Sequence, residues 1–397
     1  MQFNGSLHLG YSTNIHRGNT WEETFSSLQQ ETLAVRQQAC PADTPYGIGL
    51  RLSNTASEEL AIETNLDALK RWLDQHNCYV FTINGFPYGN FHETRVKEQV
   101  YMPDWQSSKR LDYTKRLFSL LAELLPKGAE GSVSTLPCSF KPWISKPSEL
   151  LDIQRHLLLC AEHIEALSER YDCDFHLGLE PEPFGYLETT DEMVAFMDSL
   201  RSLTSQPDLI NRRIGINYDT CHMAIQFETA AESLKRLVEE EIRLSKIHLS
   251  SALKVQACTS AMTALSQFND PIYLHQVVSR DANGQIQRWQ DLDLALEAKD
   301  RLQHCEQEWR IHFHVPLYAE PVAGLETTVE HLEDTLDFIA QNPSYCKHLE
   351  FETYTWEVLP PNMRANSVVD QLVAEHQWCQ TALKARGISL NERPLIY

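Results

Sequence analysis

Phe175 to Pro183 reads FHLGLEPEP, and Ile214 to His222 reads IGINYDTCH. Each is a short apolar run ending in acids or a histidine, and helical stretches at Ser148 to Arg170 and Asp191 to Leu203 precede them in turn. A strand, an amphipathic helix and a second strand in that order give a parallel pair joined by a helical crossover. The same alternation extends in both directions. Upstream, strand-like runs lie at Leu7 to Thr13, Gly47 to Ser53, Tyr79 to Phe86 and Ser132 to Cys138. Helices lie at Thr20 to Ala39, opened by the Thr20/Glu23 capping signature, and at Glu58 to Gln75. Downstream, Lys246 to Ser251 and His348 to Tyr354 complete the strands, preceded by helices at Ala230 to Glu241 and Thr328 to Ala340. Eight such strands predict one closed β/α barrel spanning residues 1–397.

Ala252 to Pro321, between strands seven and eight, interrupts the pattern. Tyr273 to Arg280 and Gln285 to Trp289 flank Asp281-Ala282-Asn283-Gly284, and Asn-Gly is a strong hairpin turn. RIHFHVPLY at Arg310 to Tyr318 is one more strand-like run. Residues 252–321 read as an inserted hairpin and helix subdomain on the catalytic face; a ninth barrel strand, with the count wrong from the start, is the alternative. The composition, 42% hydrophobic and 22% charged, suits a packed globular chain. A net charge of -21 repels a phosphate backbone and argues against nucleic acid as a partner. Ten cysteines without a CxxC pair read as reduced thiols. With no signal-peptide pattern at the start and no apolar stretch near the roughly 20 residues of a membrane span, a cytoplasmic location without membrane insertion is expected.

Ionisable groups are costly in buried strands, so an acid or imidazole at the carboxyl end of a barrel strand needs a partner or a metal. Strand five ends in Glu180 and Glu182, strand six in Asp219 and His222, strand seven carries His248, and strand eight carries Glu352. Strand ends of a closed barrel converge on one rim, where several acids without a cation would repel one another and raise their pKa values. Mn²⁺, Mg²⁺ or Zn²⁺ would suit this donor set, carboxylates favouring the first two and imidazoles zinc. Taken singly, Glu182 also reads as a helix cap and His248 as a hydrogen-bonded core histidine. Glu350 shares a face with Glu352, which is preferred because it lies nearer the strand's carboxyl end. Asn14, His16, Arg17, Arg51, Lys141, Trp143 and Trp356 are further rim candidates.

GLEPEP, YDTCH, KIHLSS and FETYTW, in this order, resemble the metal-binding motifs of the xylose-isomerase-like TIM-barrel superfamily of sugar isomerases, sugar epimerases and endonuclease IV. The phrases TNIHRG, NGFPYG-NFH, LEPEP and ETYTWEVLP resemble the EboE family more closely, a barrel family linked to the traffic of secondary metabolites. The first resemblance implies a metal held by Glu180, Asp219, His248 and Glu352, with His222 and His314 as further ligands. It implies Glu180 and Glu352 as the acid and base of a proton transfer, and His222, Glu182 and Trp356 as substrate contacts. His312 stands where the nuclease pattern has Asp, and Asn84 and Thr135 or Cys138 stand where it has histidines, which weighs against abasic-site cleavage; His92 offers a substitute from a loop but reads first as a solvated loop histidine. The expected function is a metal-dependent isomerase or epimerase of a small carbonyl or polyhydroxylated metabolite. The EboE resemblance implies instead a metabolite-binding or traffic protein with little turnover, together with pathway partner proteins.

Overall fold

Apolar runs buried on both faces build the centre of the molecule. A computed structural model of the chain describes residues 1–90, 96–257, 259–298, 307–321, 324–361 and 363–391. Its central sheet contains β1 (Leu7–Tyr11), β2 (Tyr46–Arg51), β3 (Cys78–Asn84), β4 (Glu130–Thr135), β5 (Asp174–Leu179), β6 (Ile214–Asp219), β7 (Arg243–Leu249) and β8 (His348–Phe351). These strands are parallel and neighbour one another in chain order, and β8 returns to pair with β1 from His348↔His8 to Phe351↔Tyr11. A bridge between Ser12 and Gly49 closes the ring, and the Arg51 amide donates to Thr13 Oγ1 at 2.8 Å beside it. The predicted eight-stranded barrel is the observed fold. Gln2–Phe3 adds a short antiparallel strand against β1.

Gly49 fixes a detail of this closure. A Cβ there would lie 1.8 Å from Glu350 Oε1, so glycine on β2 makes room for a carboxylate that β8 sends into the barrel. Outside, the Thr20/Glu23 capping box opens the first helix, which runs from Trp21 to Ala39 through a π-helical turn at Leu28–Thr32. The single helix expected over Glu58 to Gln75 is instead two, Asn54–Leu60 and Glu63–Gln75. The Asn65 side-chain amide caps the break by donating to the Glu59 carbonyl at 2.8 Å. Each barrel strand ends before the run read from the sequence does, and the residues that follow carry Glu180, His222 and Glu352 at the rim.

Between β7 and β8, Leu253–Gln256, Val277–Arg280, Ile286–Trp289, Glu308–Ile311 and Leu325–Thr327 form a second, antiparallel sheet. The hairpin turns at Gly284, whose φ of +80° suits glycine. Trp309, Phe313, Leu253, Val255 and Phe268 pack a separate apolar cluster beneath this sheet. Arg310 belongs to it too, so the RIHF run joins the second sheet and not the barrel, and the sheet extends past Pro321 to Thr327.

Candidate metal centre and active site

Local structure explains how each acid reaches the rim. Glu180 follows β5 and its amide donates to the Thr135 carbonyl of β4 at 3.0 Å. Asp219 ends β6 and caps the helix Thr220–Ile225, its Oδ1 accepting from the His222 amide at 3.0 Å and from the Ser250 hydroxyl at 2.6 Å. Glu352 follows β8 and accepts from Asn14 at 2.6 Å and Asn84 at 3.0 Å, both through Oε1. His248 lies within β7, and its Nε2 donates to Glu350 Oε2 at 2.8 Å. Its Nδ1 therefore faces Glu180 Oε1 at 3.1 Å, Glu352 Oε2 at 3.3 Å and Asp219 Oδ2 at 3.5 Å.

Candidate ligand atoms of Glu180, Asp219, His248 and Glu352 thus lie within 4.8 Å of one another, all four side chains buried. Glu180 Oε2 and Asp219 Oδ2 have no hydrogen-bond partner, which for buried carboxylate oxygens is expensive. Electrostatics tell the same story. Burial opposes charge on His248, yet Glu352 and Glu180 outweigh both burial and Lys246 and raise its pKa well above normal. Burial likewise opposes ionisation of Asp219, and the His222, His248 and His314 imidazoles overcome it and hold the acid well below its usual range. Three converging carboxylates create a demand for positive charge at one point, and the donor set fits a divalent ion.

A second cluster adjoins the first. His222 Nδ1 donates to the Pro181 carbonyl at 3.1 Å, His312 Nδ1 to Gln276 Oε1 at 2.7 Å, and His314 Nδ1 to the Glu352 carbonyl at 2.9 Å. With those protons committed, the three Nε2 atoms turn on one another at 3.0, 3.3 and 3.4 Å. Burial lowers the pKa of His222 and, with His222 and His314 nearby, depresses that of His312 well below normal. Asp219 Oδ1, 3.9 Å from His222 Nε2, links the two clusters. Fixing imidazoles through Nδ1 is the way metal-ligating histidines are oriented, and three opposed lone pairs are stable only around a shared proton or cation.

Above this floor opens a cleft lined in part by Asn14, Glu180, Glu182, His222, His312 and Glu352. Burial raises the Glu182 carboxyl well above its normal pKa, with Glu180, Asp219 and Glu352 adding to the effect. Trp356 does not line the cleft; it sits half-buried in a short helix with the Arg364 guanidinium 5.3 Å from its ring centre, and Tyr354 takes the lining position. The basic rim candidates are engaged elsewhere: Arg17 with Glu357, Lys141 with Glu188 and Glu192, and Arg51 with the Gly18 and Gly89 carbonyls. Trp143 packs on Phe140 and Tyr101, and His16 contacts Tyr11. His92 lies outside the described residues. Gln276 and Tyr101 are lining residues that the sequence reading did not single out: Gln276 lies in the strand-like run Tyr273 to Arg280, just before the strand Val277–Arg280, and Tyr101 ends the short helix Lys97–Tyr101.

The chain matches no family model and no curated protein. Solved structures share its fold. An L-ribulose 3-epimerase superposes with a TM-score of 0.52 at 13% identity, covering 98% of this chain and 96% of that one. A xylose isomerase domain protein from Planctomyces limnophilus gives 0.52 at 13% identity, with coverage of 96% and 98%. A D-tagatose 3-epimerase-like protein gives 0.50 at 12% identity, with coverage of 96% and 98%. The fold is that of the xylose-isomerase-like TIM barrels.

Proposed function

We propose that this chain is a divalent-metal protein of the sugar isomerase or epimerase type, acting on a small carbonyl or polyhydroxylated metabolite by proton transfer. The observation that carries the reading is the buried meeting of Glu180, Asp219, His248 and Glu352 with two carboxylate oxygens left unpartnered. The epimerases and the isomerase-domain protein that share the fold support it. Those four residues would hold the ion, with His222, His312 and His314 available to a second. When bound, Mn²⁺, Mg²⁺ or Zn²⁺ supplies polarisation of a substrate carbonyl.

The chain's own groups do the rest. Glu180 Oε1 and Glu352 Oε2 both face His248 Nδ1, at 3.1 and 3.3 Å, and serve as acid and base in the proton transfer. Asn14 and Asn84 fix Glu352 by its Oε1 and leave Oε2 for the site. Glu182 and His222 offer polar contacts to substrate oxygens from the cleft floor. The charge of -21 fits a small-molecule partner in the cytoplasm and not a nucleic acid, and no helix of the described residues is long and apolar enough to cross a membrane.

A second reading, an EboE-like binding or traffic protein with little turnover and with pathway partners, draws on the apolar walls of the cleft. Deuterium exchange separates the two. In deuterated water the metal-loaded protein should incorporate deuterium at the substrate's carbon, read by mass spectrometry over keto sugars, inositols and any co-purified metabolite. Glu352→Gln should abolish exchange while binding remains detectable, since the amide keeps the shape and loses the proton acceptor. A ligand that binds tightly without exchange or conversion favours the traffic reading.

A further inference from the structure

The walls of the cleft differ in chemistry from its floor. Phe86, Pro87, Val96, Val100, Leu274 and Tyr354 line it above the carboxylates and imidazoles. Phe86, Val96 and Leu274 are buried, and the Phe86 ring meets Tyr101 edge-on at 5.8 Å, which makes this side a fixed apolar surface. Several polar groups near it are already committed within the protein; the Tyr101 hydroxyl, buried on the same side without a hydrogen-bond partner, is the exception. Asn84 donates to Glu352 and Ser12 and accepts from the Phe86 amide. Gln276 donates to the Pro183 carbonyl at 3.0 Å and accepts from His312. Lys97, the one basic side chain among the described lining residues, lies 2.5 Å from Asp291 and 3.3 Å from the Asp270 carbonyl.

A polyol extended from floor to mouth would bury hydroxyls against hydrocarbon, each losing hydrogen bonds to water without replacement. An aryl or alicyclic ring would fill the same space at no such cost. Resting on the proposed metal-dependent reading, we infer that the ligand is an α-hydroxycarbonyl compound with its oxygens at the carboxylate–imidazole floor and an apolar ring against these walls, in preference to a free sugar.

Three compounds sharing one open α-hydroxyketone head test this: dihydroxyacetone, the ketotetrose L-erythrulose and 2-hydroxyacetophenone, titrated calorimetrically into Mn²⁺-loaded protein. The aryl ketone should bind at least tenfold more tightly than the other two. Val100→Asn, a change at a half-buried position checked for native circular dichroism and Mn²⁺ uptake, should remove most of that advantage and leave dihydroxyacetone unaffected. Equal affinities, a preference for erythrulose, or no binding of the aryl ketone overturns the inference. Mn²⁺ uptake is measured first on the same sample. No uptake sinks the metal reading and this inference with it, whereas uptake without an aryl preference sinks the inference alone.

Discussion

Glu350 and Glu352 share one strand face, yet they do different work. Glu352 opens to the cleft, while Glu350 lies below it, 2.5 Å from Lys246 Nζ and 2.8 Å from His248 Nε2. Burial pushes the Glu350 carboxyl up, but Lys246 and His248 outweigh it and hold its pKa to about 2. Its role is to neutralise a fully buried lysine and to turn His248 so that Nδ1 faces the acids. Glu350→Gln should therefore cost about 3–5 kcal/mol in urea unfolding, because it strands a buried charge. Adding Lys246→Met should recover most of that loss; two additive penalties would contradict the coupling. That acids and imidazoles at the ends of apolar strands meet at one rim was legible in the sequence, whereas the choice of Glu180, Asp219, His248 and Glu352 among them rested on the resemblance of their motifs. The roles of Asn14 and Asn84 as anchors of Glu352, and of Gly49 as the space for Glu350, were not. They depend on which residues face one another across the barrel interior, which no single strand reveals.

At the scale of elements, the second sheet matters to the site because His312 and His314 follow its strand Glu308–Ile311 directly. Arg288 on its hairpin pairs with Glu188 at 2.8 Å, and Lys97 on the loop after β3 pairs with Asp291, so the sheet is pinned to the rim from two sides. Trp309, fully buried and stacked on Trp289 at 5.1 Å, anchors its core. Trp309→Ala should cost that sheet about 3–5 kcal/mol. The expected result is early proteolytic cleavage within residues 252–321 while the barrel keeps its circular dichroism; loss of both together would mean that the two sheets fold as one unit. The Asn-Gly turn was legible from local chemistry. The strand Leu325–Thr327 was not, since three residues carry too little pattern and the sheet draws strands from across a long connection.

For the whole molecule, alternation of strands and helices was enough to identify the barrel, because each strand is buried on both faces and leaves an apolar run. Strand ends were less legible, since the runs continue into the loops that carry the site. Stability against pH offers a separate check. Glu375, on the C-terminal helix Val368–Ala385, is fully buried between the Leu317 amide and the Thr353 hydroxyl, and burial raises its pKa to about 7. A carboxyl pKa raised by folding means that the native state binds the proton more tightly. Stability is then full below the unfolded pKa near 4.5 and falls as pH rises toward 7. Glu375→Gln, which stays neutral, should raise the melting temperature at pH 8 and change it little at pH 5, with a difference of up to about 3 kcal/mol. An equal effect at both pH values would contradict a proton held by the native state.

The central claim is that the rim holds a divalent ion through Glu180, Asp219, His248 and Glu352, and metal content is its most direct measure. Elemental analysis of the folded protein, dialysed after loading with Mn²⁺ or Zn²⁺, should give at least one equivalent. Asp219→Asn should lose most of that metal while keeping the native circular dichroism, because one carboxylate oxygen leaves the cluster and the side chain keeps its size. Unchanged stoichiometry in folded Asp219→Asn and His248→Ala proteins would contradict the account.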